Sequence, residues 1–387
     1  MLINSWFIYY FVFYLFMYQF MYSFVGRRLN LTFVTLSNIL FGALIFHQFR
    51  DSLGFERFIF IISLIAGNLL VVRQNFKFND KLWSLVSLKL QLGTLLISLP
   101  NIVLSFLGLI IILFSFGRNI DRKKEFVLNS GLTIWLIVFS LLVSSWSPDF
   151  DIASIKTIIN ERLFLVAFLF FFLIYGLCRC FYEVTLPEDS DNSISHKLNY
   201  STWVWIGIFN NFFILLFNDL GILKENANII TSAGSVIFLL ILVLLFLKIE
   251  NVKTISKQIS FTIITQATII SFLIIDHSEI YLSWLIYTNS CLILMMAFFK
   301  GENINNLRSN RNKLKFFTQI MTVILLLGMP FTPWFDSNLA LLKHLKETNT
   351  PFLYLSALLF LGVRYRQNVV LLIKYIRQNY FKESKAS

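Results

Sequence analysis

The sequence predicts an all-α polytopic membrane protein of about thirteen transmembrane helices, and three observations predict it. Of the 387 residues, 57% are hydrophobic and only 14% are charged, and the mean hydropathy of +0.72 lies far above what a water-soluble core and surface require. Apolar runs of the length a bilayer demands recur from one end of the chain to the other. The cations gather in alternate segments between those runs, as they do when a chain weaves across a membrane.

A hydrocarbon core of about 30 Å is crossed by about 17 to 25 helical residues rising about 1.5 Å each. Runs of that kind fall at 4–25, 30–48, 57–72, 83–99, 100–116, 127–146, 159–182, 202–222, 231–248, 257–275, 279–299, 315–335 and 351–375. Residues 1–26 carry no charge, and Arg27 and Arg28 follow the first run instead of preceding it. That order predicts a retained first span and not a cleaved signal. The fourth and fifth runs are divided only by Leu99-Pro100-Asn101, and the last contains Arg364 and Arg366, which must snorkel, face protein or begin an interfacial helix.

With the N-terminus outside, the inner segments hold 25 of the 33 Lys and Arg residues. The outer ones hold seven (Arg50, Arg57, Lys156, Arg162, Lys224, Lys343, Lys346), and Lys89 alone falls within the fourth run. This split predicts an outer N-terminus and a C-terminus on the matrix or cytoplasmic face, in a mitochondrial or bacterial inner membrane. The net charge of +12 is then a topology signal with some attraction to anionic lipid heads, and it is too dispersed for nucleic-acid binding.

No polar stretch is long enough for a soluble domain. The three cysteines and four histidines form no ligand spacing, so no metal site and no cofactor is expected. An enzyme of the polytopic lipid or polysaccharide transferase kind would need acid, His or Arg clusters in sizeable outer loops. The best on offer are Asp149, Asp151, Asp276, His277 and Glu279, in short ones; the last three suit a proton entry cluster or a solvated turn.

Three motifs then carry a resemblance. Thr185-Leu186-Pro187-Glu188-Asp189 follows the seventh run, Asn251-Val252-Lys253-Thr254 lies between the ninth and tenth, and Gly328-Met329-Pro330-Phe331-Thr332-Pro333-Trp334-Phe335 ends the twelfth. In this order the chain resembles the antiporter-like membrane subunits shared by respiratory complex I, membrane-bound hydrogenases and Mrp-type cation antiporters. Over residues 85–340 it is most similar to the smaller quinone-side subunit of complex I. The resemblance implies inverted repeats with helices broken at Pro187, Gly328 and Pro330. It divides the chain into helices 1–3 at residues 1–82, a first repeat at 83–222, a second at 223–340 and a C-terminal helix with basic tail at 341–387.

The family's buried titrating groups are largely missing. The fifth run has no acid, and the seventh has Gly176 near the place of a family lysine. The eighth offers only Asn210 and Asn211 over 202–217, the eleventh has Asn289 near a histidine position, and the twelfth has no ionisable residue within the membrane. Candidate replacements for a proton path or gate are Lys89, Arg179, Glu183, Asn210, Asn211 and Lys253. Arg179 and Glu183, at i and i+4, suit a structural ion pair or a relay. Lys89, one or two turns into its run, suits snorkelling or an interhelical hydrogen bond, and Lys253 an axial role or a loop charge. The two asparagines are expected to bond to a neighbouring helix or a water.

The resemblance implies a divergent subunit of a multi-subunit energy-coupling complex, without a catalytic centre of its own and with proton translocation weakened or lost. Its partners would be other membrane subunits and lipids. The alternative is an ion-conducting partner of a soluble subunit.

Overall fold

The computed structural model describes residues 5–24, 27–49, 54–75, 80–117, 122–145, 152–185, 202–220 and 332–347, with isolated positions between 260 and 373. These form α1 (Ser5–Phe24), α2 (Arg27–Phe49), α3 (Phe55–Asn75), α4 (Asp80–Ser98), α5 (Ile102–Gly117), α6 (Arg122–Ser144), α7 (Ile152–Glu161), α8 (Leu163–Thr185), α9 (Trp203–Leu220) and α10 (Pro333–Glu347), with no strand among the described residues. Four stretches, Leu29–Phe49, Phe55–Arg73, Phe164–Tyr182 and Trp203–Leu220, are long and apolar enough to cross a membrane, and α4, α5 and α6 contain shorter apolar helices. The chain is an integral membrane protein. It divides into two compact units, Met1–Phe170 with Leu215–Ile222, and Phe171–Ile214 with Leu223–Ser387.

In the first unit α4 is the hub, with α1, α2, α3 and α5 packed on it. On α1 the helical period turns Phe7, Tyr10 and Tyr14 inward against Phe41, Ile45 and Phe49 of α2 and Leu95 of α4. Trp6, Tyr9, Phe13 and Phe16 face outward. Because water does not compete inside lipid, polar side chains tie the helices together. The Tyr10 hydroxyl donates to the Ser37 carbonyl at 2.7 Å and meets the Gln91 amide oxygen at 2.9 Å. Tyr14 donates to the Ser84 carbonyl, and Asn38 Nδ2 to Ser87 Oγ at 2.9 Å. Against α5, α4 comes closer still. A Cβ on Gly93 would sit 2.8 Å from the Gly108 carbonyl oxygen and 2.6 Å from Ile112, so the helices touch backbone to backbone.

The narrow division at Leu99-Pro100-Asn101 is a true helix boundary. Pro100 lacks the N–H that would continue α4, and the Asn101 side chain accepts the Leu104 N–H at 3.0 Å as the N-cap of α5. The carbonyls this break frees, Ile97 O and Leu99 O, each accept from Arg57 Nη2 at 3.3 Å and from Ser105 Oγ. Arg57 Nη1 also lies 3.8 Å from Asp219 Oδ2, while Asn218 Nδ2 donates to Glu56 Oε2 at 3.1 Å. The Ile152 N–H donates to Pro100 O. One end of the unit thus gathers the starts of α3, α5 and α7 and the ends of α4 and α9. These belong to segments that the cation pattern is expected to put on one side of a membrane.

Several expected boundaries move. The helix of span four begins at Asp80, while its apolar part, Leu82–Ser98, matches the expected run, and Lys89 stands at the middle of the helix. Before span seven, part of the expected outer loop is the amphipathic α7, with Ile152, Ile155 and Ile159 buried and Lys156 exposed. Its helix stops at Glu161, and α8 starts afresh at Leu163. The twelfth span cannot run helically to 335, because the chain bends at Thr332 and α10 opens with Pro333 at its first position. Thr332 Oγ1 accepts the Phe335 N–H at 3.4 Å.

Arg57→Leu is expected to strand both Asp219 and the α4 carbonyls. Removing one partner of a fully buried pair costs about 3–5 kcal/mol. Asp219 keeps 29% of its side-chain surface exposed, so a loss nearer about 2 kcal/mol is expected. Thermal unfolding in detergent, with Arg57→Lys losing less, checks it.

Candidate functional site

The seam between α8 and α9 is where the resemblance leads one to expect titrating groups. Within the second unit it is built of rings. Phe172 stacks on Phe213 at 5.2 Å, Tyr175 meets Trp205 edge-on at 5.9 Å, and Phe209 lies 4.8 Å from Phe213. Gly176 sits among them because nothing larger fits: a Cβ there would lie 2.6 Å from Phe209 Cδ1. The space beside Gly176 is filled by an aromatic side chain of the next helix.

The first part of α9, Trp203–Asn210, is wound as a π-helix and is buried throughout, before α-helical winding resumes at Asn211. Gly207 permits it, since a Cβ there would strike the Trp203 ring. At the join the Asn211 N–H reaches Ile206 O and Ile208 O and passes over Gly207 O, which lies between them. The Asn211 side chain takes up that carbonyl, donating Nδ2 to Gly207 O at 3.3 Å, and donates also to Asn289 Oδ1 at 3.0 Å. Asn211 Oδ1, Asn289 Nδ2 and Thr288 Oγ1 are buried and make no hydrogen bond within the chain, leaving polar capacity that suits bound water. Nearby in sequence, Thr202 donates to Ser260 Oγ at 3.0 Å. The site is thus neutral: amides, hydroxyls and carbonyls, which orient water but hold no charge.

Arg179 is 8% exposed, with its guanidinium 5.6 Å from the Tyr182 ring and 5.8 Å from that of Trp205. Glu183 is on the same helix, but its side chain is outside the described residues, as are Lys253, Pro187, Gly328 and Pro330. The described α8 runs unbroken to Thr185, so any break of the seventh span lies beyond it. Asn210 is fully buried. Lys89 belongs to α4 in the first unit, apart in sequence from these groups and half-buried.

Sequence reasoning missed two features. Glu56, Arg57 and Asp219 read as ordinary charges at span ends, and only the Pro100 break, with its freed carbonyls, signalled that a cation was needed there. The π-helix has no pattern of its own in sequence. The pair Gly207 and Asn211, four apart and flanked by aromatics, is the trace it leaves.

Gly176→Val is expected to destabilise the seam by about 1–3 kcal/mol, since neither helix can retreat without unstacking the rings. Phe209→Ala in the same chain should recover part of that loss, a non-additivity read by a double-mutant cycle of thermal unfolding.

No family profile matches the chain, and neither does any curated protein sequence. Among solved structures, it is similar to a chain of "Respiratory complex I from Thermus thermophilus with bound Aureothin", with a TM-score of 0.65 at 12% identity. The match covers 94% of this chain and 88% of that one. The fold is that of a complex I chain along almost its full length.

Proposed function

We propose that the chain is a membrane-arm subunit of a multi-subunit energy-coupling complex of the complex I kind, built on the antiporter-like scaffold, with proton translocation weakened or lost. The observation that carries this reading is the ring of Phe209 against Gly176, within a fold shared end to end with a complex I chain. A translocating subunit of this kind passes protons along buried Glu and Lys residues whose charge responds to their neighbours. Here that route meets stacked aromatics and then an amide pair, which can hold water but cannot store a proton near neutral pH.

The chain's role on this reading is architectural. It presents helices to adjacent membrane subunits and fills the arm, while redox chemistry stays with soluble partners. An ion-conducting transport role would need titratable groups along the seam, and among its described residues only Arg179 is charged, held among rings.

Purification in mild detergent should bring down companion subunits, including ones bearing flavin and iron–sulfur clusters, identified by mass spectrometry and optical spectra. Recovery with a lone soluble partner would instead support transport.

A further inference from the structure

α4 carries a charge midway along its apolar length, Leu82–Ser98. Lys89 is the tenth of the nineteen residues of Asp80–Ser98, so about 13 Å of helix separates it from either end. Its flexible four-carbon stem is too short to bring the ammonium to a headgroup from there. At 100° per residue Lys89 shares a face with Leu85 and Leu92, the latter 38% exposed, whereas Trp83, Ser87, Leu90, Gln91 and Thr94 turn inward. The ammonium therefore stands on the outward stripe of the hub helix.

Charged residues at mid-span are costly and pair with something. Arg57 has its acid and its carbonyls within the chain. Lys89 takes part in no ion pair with a described acid.

We infer that the stripe of α4 around Lys89 is a docking surface for a transmembrane helix of another subunit that carries a carboxylate at mid-membrane depth. Charge complementarity selects this occupant over lipid, whose charges lie at the interface, and over a second copy of this stripe, which would set lysine against lysine. The carboxylate neutralises Lys89, and the leucines to either side give the incoming helix its apolar contact. This specifies the kind of neighbour for the assembly role above, and rests on that reading.

The test uses the full chain with Lys89→Arg, Lys89→Gln and Lys89→Met, each measured twice: incorporation into the complex in native membranes, and thermal stability of the chain purified alone. Lys89→Met and Lys89→Gln are expected to lower incorporation about fivefold or more, while the chain alone is as stable as wild type or more so, and Lys89→Arg retains most of the incorporation. Wild-type incorporation of Lys89→Met or Lys89→Gln would overturn the proposal, and so would a parallel loss of stability in the chain alone, which indicates an internal partner. If wild-type chain assembles with no companions, the assembly reading itself fails. If it assembles and Lys89→Met does so equally, only the docking surface fails.

Discussion

Inside a bilayer a helix that stops or changes pitch must find partners for the backbone groups it releases, because lipid offers none. This constraint explains the placement of polar side chains at three points of the chain. Where α4 ends at Pro100, Arg57 and Ser105 converge on the carbonyls of Ile97 and Leu99, and Asn101 caps the helix that follows. Where α9 turns from π to α winding, Asn211 takes the carbonyl its own N–H passes over. Where the chain bends into α10, Thr332 meets the Phe335 N–H. In each case the repair is made by a side chain only a few residues away or by one at a neighbouring helix end.

The same constraint separates two uses of charge. Arg57 is satisfied by helix-end carbonyls, which bear the negative end of the α4 dipole, together with a carboxylate. It belongs to the architecture. The α8 and α9 seam is different, because Arg179 lies there among rings and the other polar groups described are neutral. Stacked aromatics fill most of its described space, with a small amide pair beside them.

Much of the fold was legible because a bilayer imposes a length and a sidedness on sequence. The apolar runs located α1 to α6, α8 and α9 to within a few residues. What escaped was local. The isoleucines of α7 recur with helical period, but over a stretch too short to cross a membrane, so it read as loop. Pro333 looked like the end of a span when it was the start of another helix. For the site, absence was easier to read than presence. That residue 176 is a glycine is plain in sequence, whereas the ring packed against it comes from Phe209, thirty-three residues on, and only packing reveals it.

The link from Arg57 to Asp219 also has a history during synthesis. Arg57 enters the membrane 40 residues before the carbonyl of Ile97 is made. Asp219 comes far later, at the same separation of 162 residues as Asn218 from Glu56. At a ribosomal pace of about 5–20 residues per second, the arginine waits about 2–8 s for α4 and about 8–30 s for its carboxylate. The order of synthesis thus makes the end of α4 available to Arg57 well before its carboxylate.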